Sequence, residues 1–373
     1  MKEQMPVPSS HWNKEPSICE VLLLVLTSGL LFTGTILLLV PNFFALVDVG
    51  FGDNPAYMQV ASAIRRWEFA GLNVKHFWGL PYLMAVLSKL TGFSDRTALL
   101  LISACASFIS VSLAYRLWGG WIAGFFAILN FNWIHCSFLG GSEPLLTALL
   151  FAAFLSVRYD RWMLATLLAS FGTVVRPLGF FALVGIGLVL WWRREFRKLF
   201  LSMLISLAIG GLYVLPLALY FGDPLATVHS YSSNTNRWLF GLPFYAIIKG
   251  TLLYPPPVTN LVLSFGWVVF VLTGSIMMIA KQSFRQYSQT HPVEVIFAAL
   301  YLLAIYSYNL PFWARMSFAR FAIPIIPFVL LALEPWIPKD RRLMWGIGLI
   351  SSVLAAVSAA GLRNTLEILR NAL

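Results

Sequence analysis

Unbroken apolar runs of roughly 20 residues recur along the whole chain, separated by short polar or basic punctuation. The first runs from Val21 to Val40. Others fall near 95–115, 119–137, 143–158, 162–176, 178–192, 199–220, 259–280, 293–309, 320–337 and 343–362. Hydrocarbon offers no partner to unpaired backbone groups, so a span must be a helix or a strand of a closed barrel. The runs lack the period-two alternation of barrel strands, which selects helices. The pattern predicts an all-α integral membrane protein with about eleven transmembrane helices, forming a single polytopic domain over 1–373. A long connection, Pro41 to Ser94, follows the first span. It holds an amphipathic segment, Ala56 to Phe69, and an apolar one, Leu80 to Leu90, which is too short to span and belongs in the membrane interface.

Composition agrees. Of the 373 residues 59% are hydrophobic and only 11% charged, against about 25% charged in a globular chain. Too little charge is present to cover a water-facing surface. The net charge of +11 would suggest nucleic acid in a soluble protein. Here the basic residues sit in clusters between apolar runs and no aromatic-basic signature accompanies them, so nucleic acid is not expected as a partner. The first apolar run is too long for a signal core, and Pro41-Asn42-Phe43-Phe44 follows it in place of a small-x-small cleavage site. Cys19, Cys105 and Cys136 show no metal or disulfide spacing and read as packing residues.

Loop charge sets the orientation. With the N-terminus cytoplasmic, the short inner connections carry many of the basic residues, and Arg193-Arg194-Glu195-Phe196-Arg197-Lys198 is the strongest inside signal. The outer side then holds the long loops Pro41–Ser94 and Phe221–Thr259 and a shorter one, Asn309–Ala319. Long loops are disproportionately functional, so the working face is expected to be the outer or luminal one.

Asp53 stands where the first outer loop turns into an amphipathic helix, with Pro55 suited to its first turn. A carboxylate there can act as a general base at the membrane surface or can cap the helix. Asp48 is a weaker alternative. Basic residues gather on the same face: Arg176 before Pro177, Arg237 and Lys249 in the second long loop, and Arg315 and Arg320 before the tenth run. Arginine binds phosphate through a planar fork of donors, whereas snorkelling to lipid headgroups is the structural alternative. His76, His135 and His229 lie on or near this side without metal-ligand spacing. Glu143, after Gly140-Gly141-Ser142, reads as a first-turn acid behind a serine N-cap. No phosphate-binding glycine loop, dinucleotide fingerprint or zinc motif is present, so no cofactor is indicated; a divalent metal is compatible but unsupported.

Four stretches together resemble the GT-C superfamily of polytopic glycosyltransferases, including the GPI-mannosyltransferase-like and related bacterial members. Gly52-Asp53-Asn54-Pro55-Ala56-Tyr57 is similar to that class's acidic motif in the first outer loop. Ser142-Glu143-Pro144-Leu145-Leu146, continuing through Arg158-Tyr159-Asp160-Arg161-Trp162 to Arg176-Pro177-Leu178-Gly179, resembles the middle of the chain. Phe221-Gly222-Asp223-Pro224-Leu225 resembles the start of a later outer loop, and Arg320-Phe321-Ala322-Ile323-Pro324 a C-terminal arginine-aromatic-proline pattern. Many relatives carry a second acid beside the first; here it is Asn54.

The resemblance implies a GT-C-like architecture and an inverting transfer of a hexose, such as mannose, from a polyprenyl- or dolichyl-phosphate donor to a hydroxyl of a lipid- or glycan-borne acceptor. Asp53 would be the base and Asp223 its rival. Arg176, Arg315, Arg320, Tyr57, Arg237 and His229 would form the substrate-binding set. The setting would be a bacterial plasma membrane or a eukaryotic ER membrane, with membrane lipids as further partners. A lipid-linked saccharide flippase and a non-catalytic subunit of a glycan-assembly complex are the alternative functions.

Overall fold

A computed structural model describes residues 14–40, 42–49, 53–69, 72, 74, 76–233, 238–253, 258–311, 314 and 317–372. Among them the chain is helical, with no strand beyond one isolated bridge between Phe240 and Tyr308.

Helix α1, Ile18–Leu39, opens on a Ser17 N-cap whose hydroxyl accepts from Glu20 N at 3.3 Å. The long connection folds into three short helices, α2 (Phe43–Val49), α3 (Asn54–Arg66) and α4 (Gly79–Thr91). Next come α5 (Asp95–Trp118), α6 (Gly120–Leu129), α7 (Phe131–Phe138), α8 (Glu143–Arg158), α9 (Trp162–Val175), α10 (Phe180–Trp192) and α11 (Phe196–Phe221). The second half holds α12 (Ala226–Ser233), α13 (Tyr245–Leu253), α14 (Val258–Ala280), α15 (Gln282–Thr290), α16 (Pro292–Ser307), α17 (Phe318–Phe321), α18 (Ile326–Leu333) and α19 (Arg341–Ala372). Short 3-10 turns at Pro177–Gly179, Ile323–Ile325 and Glu334–Trp336 join several of these.

Among the described residues four helices are long and apolar enough to cross a membrane: Ile18–Leu39, Asp95–Trp118, Phe196–Phe221 and Arg341–Gly361. The number is six if each of two bent pairs is one span, by length and composition alone. Shorter apolar helices at Trp162–Val175, Pro177–Trp192, Pro292–Ser307 and Ile323–Trp336 coincide with other expected runs. This is a multi-pass helical membrane architecture.

One expectation is corrected. The run 119–137 is not a single straight helix. It breaks at Asn130, whose side-chain oxygen accepts from Asn132 N at 2.9 Å and whose amide donates to Ala319 O at 2.7 Å. A polar residue inside an apolar run finds its partners in neighbouring backbone instead of lipid, so the break is tolerated. Helix α7 then meets α8 at a bend of 102°. The bend draws Gly140-Gly141-Ser142-Glu143 into the protein interior, where Ser142 and Glu143 are fully buried.

Polar contacts gather at two ends of the longer helices. At one end, Glu15 accepts from Gly120 N at 2.5 Å, Arg341 donates to the Lys14 and Glu15 carbonyls, and Arg158 meets Glu294. The other end gathers α2, α3, the α7–α8 bend, the end of α9 and the start of α17. One large apolar core runs between them, from Val21 to Met344.

Candidate functional site

The second of these ends assembles four ionisable side chains from distant parts of the chain. Asp53 occupies the N-cap position of α3, yet its side chain makes no capping bond. Its Oδ2 instead accepts from Arg320 Nη2 at 2.5 Å. Arg320 also donates through Nε to Glu143 Oε1, and Arg176 donates through Nη1 to the same oxygen. The carboxylates and guanidiniums therefore form a chain, Asp53–Arg320–Glu143–Arg176. Side-chain exposure rises from its middle, 1% at Glu143 and 6% at Arg320, to its two ends, 20% at Arg176 and 23% at Asp53.

Local sequence explains each placement. Arg176 precedes Pro177, which disfavours helical backbone, so α9 ends there with Arg176 extended at φ −151° and ψ 137°. The guanidinium then reaches back to Glu143 and lies 5.8 Å from the Phe321 ring centroid. Arg320 sits in the four-residue helix α17, fixed by its neighbours' burial in the core. Gly141 packs closely beside Glu143: a Cβ there would lie 2.9 Å from Oε2 and 3.0 Å from the Cys136 Cβ, so the carboxylate would have to shift.

Asn54 stands where many resembled relatives have a second acid, and it serves as a clamp. Its amide donates to Val47 O and Leu139 O, both at 2.9 Å, tying the first loop to the α7–α8 bend. This holds Asp53 against Arg320. Tyr57, one turn on, shares a hydrogen bond of 3.0 Å with the Ser142 hydroxyl. Burial pushes the Tyr57 phenol well above its usual range, and the Asp53 carboxylate adds to the shift. Its hydroxyl ties α3 to the α7–α8 bend. Ser142 thus meets Tyr57 and does not cap α8, which corrects that expectation; Glu143 keeps its place in the first turn but is foremost a counter-ion to two arginines.

His76 Nδ1 lies 4.0 Å from Asp53 Oδ1, and its ring meets Tyr57 edge-on at 5.4 Å. The remaining candidates are placed otherwise. Asp48 pairs with Arg96 through both oxygens. Asp223 accepts from Leu225 N at 2.9 Å and pairs with His229 at 2.7 Å on an exposed surface. That histidine bond, helped by the Leu225 amide, holds the Asp223 carboxyl below its usual range. Lys249 donates to Tyr245 at 3.1 Å. Arg237 and Arg315 lie outside the described residues, as does Gly52 of the first motif. Among the described residues no cluster of His, Cys, Asp and Glu could hold a metal ion.

Two participants were read otherwise in the sequence. Glu143 looked like a helix-dipole acid and His76 like a lone interfacial histidine. A signal for Glu143 existed: it is the sole Asp, Glu, Lys or Arg between Arg116 and Arg158. An ionisable group isolated in so long an apolar stretch needs a buried partner. No comparable signal marks His76.

Comparison with family models, with curated proteins and with solved structures finds no match.

Proposed function

We propose that this chain is a polytopic glycosyltransferase of the GT-C kind, moving a hexose from a polyprenyl- or dolichyl-phosphate to an acceptor hydroxyl with inversion. The observation that carries the reading is the side chain of Asp53. It forgoes the cap available to it and lies against Arg320, in a group that also holds Arg176.

Each part suits one step. Asp53 takes the proton of the acceptor hydroxyl as that oxygen attacks the anomeric carbon, and the bond from that carbon to the lipid phosphate breaks on the opposite face. Arg320 and Arg176 hold the negative charge on the departing phosphate. Fixed guanidiniums in a largely dry site stabilise such charge better than water does, because they need not reorganise during reaction. Glu143 holds both guanidiniums in place, and His76, beside the second Asp53 oxygen, orients the carboxylate. Arg315 and Arg237 are further candidates for the phosphate and the sugar. In this reading about eleven helices cross the membrane, the N-terminus is cytoplasmic and the Asp53 end faces the outer or lumenal side.

The test is incubation of purified protein with a panel of polyprenyl- and dolichyl-phosphate sugars and acceptors, reading release of the lipid phosphate. At least one donor is expected to be consumed by wild type and spared by Asp53→Asn. A flippase or scaffold would leave every donor intact. Labelling of cysteines placed at Lys198 and Leu242 in a cysteine-free background, in sealed cells, checks the orientation: Leu242→Cys should react from outside and Lys198→Cys should not.

A further inference from the structure

The end of the bundle opposite Asp53 carries two adjoining cavities that the transfer chemistry does not use. One, of about 240 Å³, is lined by Arg158, Arg193, His291 and Glu294 together with Asp160 and Trp162. The second, of about 560 Å³, shares Asp160 and Trp162 and continues along Arg161, Arg197 and the apolar side chains of Met163, Leu164 and Leu201. The pair therefore has a polar, cationic part and an apolar part that meet at Trp162.

The charge there is unbalanced. The two cavities and the adjoining 193–198 turn carry six cations, Arg158, Arg161, Arg193, Arg194, Arg197 and Lys198, and three carboxylates, Asp160, Glu195 and Glu294. The carboxylates are already committed: Glu294 to Arg158, and Glu195 and Asp160 to Lys198 at 2.6 and 3.5 Å. Among the described residues Arg161, Arg193 and Arg197 make no ion pair. Arg193 lies 5.4 Å from the Trp162 ring centroid, which orients its guanidinium at the junction of the two cavities. Orientation by loop charge asks only for cations in this turn and does not require a cavity beside them.

The surroundings say which anion fits. Trp191, Trp192, Phe196 and Phe200 are all more than half exposed beside the arginines. Such a belt sits at the level of lipid headgroups. Leu164 and Leu201 are 42% and 40% exposed on helices whose outer surfaces are apolar. A water-soluble anion would leave this apolar part unfilled, and a zwitterionic lipid would not offset the excess of arginine.

We propose that these two cavities bind one anionic phospholipid, with its phosphate among Arg193, Arg161 and Arg197 and an acyl chain along Met163, Leu164 and Leu201. The site is independent of the glycosyl-transfer reading, since none of its residues belongs to the Asp53 group.

Native mass spectrometry of the full-length protein in detergent tests it, with dioleoyl phosphatidylglycerol, dioleoyl phosphatidylcholine and glycerol phosphate as probes. Wild type is expected to retain one phosphatidylglycerol in preference to phosphatidylcholine. Each arginine near a charged headgroup adds modestly, so Arg193→Gln with Arg197→Gln should weaken retention by about 10-fold or more. Arg116→Gln, an exposed arginine outside the cavities, should leave it unchanged. Both substituted arginines are exposed, and an unaltered melting temperature confirms folding; if the double variant fails to fold, Arg193→Gln alone is read in the same way. Equal retention by the double variant and Arg116→Gln overturns the proposal. So does equal retention of phosphatidylcholine, or displacement of the lipid by glycerol phosphate at the same concentration, which would mean a site for the headgroup alone.

Discussion

Two buried ion clusters, one at each end of the bundle, differ in how fully their charges are satisfied. In the Arg158–Glu294 pair each guanidinium nitrogen has an acceptor. Arg158 meets Glu294 through Nε and Nη2 at 2.7 and 2.9 Å, gives Nη1 to Leu117 O at 2.8 Å, and reaches the Tyr287 hydroxyl at 2.9 Å. Trp118 donates to that hydroxyl at 2.7 Å, and the hydroxyl in turn donates to Glu294. This is a two-pronged guanidinium–carboxylate pair with its remaining valences filled, the form a buried pair takes when it fastens helices together. At the Asp53 end, two guanidiniums share one Glu143 oxygen, and the Asp53 oxygen facing His76 stands only within long range of it. A saturated pair closes a structure; a shared one can trade partners with a ligand.

The largest effect expected is on turnover. Asp53→Asn keeps the size of the side chain and should slow single-turnover sugar transfer by about 10²–10⁴. Asp223→Asn should leave the rate near wild type, because its carboxylate is engaged with His229 and a backbone amide. If the two variants exchange these outcomes, the open cluster is not the reactive one. The closed cluster should answer in stability instead. Glu294→Ala leaves Arg158 without its carboxylate and should cost about 3–5 kcal/mol of unfolding free energy, read by denaturant titration in micelles, while activity per folded molecule holds. A large loss of activity in the folded fraction would erase the distinction between the two ends.

Tyr57→Phe deletes only the bond to Ser142 and should cost about 1 kcal/mol, with a modest fall in rate if Tyr57 does no more than hold α3 against the bend. The smallest effect is at Asp223. Its carboxyl is depressed in the folded protein, so the stabilisation from its bonds is present above the unfolded-state value and fades as pH falls through the folded-state value. A carboxyl-detected NMR titration should place Asp223 below ordinary aspartate, and His229→Ala should move it back upward.

The sequence made the helices readable because a bilayer imposes their length: α1, α5 and α11 lie close to where the apolar runs place them. The break at Asn130 was not readable, since an asparagine in an apolar run says nothing of the Ala319 carbonyl that satisfies it. Asp53, Arg176 and Arg320 were each legible as candidates from residue type and position. Their joining through Glu143 was not, because it depends on the 102° bend that carries Glu143 inward. His76 was missed for a simpler reason: a lone histidine acquires meaning only from what folds against it.

The sharing of Glu143 has a consequence for how an anion enters. Two carboxylates and two guanidiniums sum to zero, so the four side chains together bury no net charge. On the proposed chemistry an arriving phosphodiester must evict a carboxylate. Glu143 is sealed inside the bundle and stays, while Asp53, the most exposed of the four, gives way. In that reading the site works as an ion exchanger, in which admission of the donor uncovers the base and a base without donor stays stoppered by Arg320.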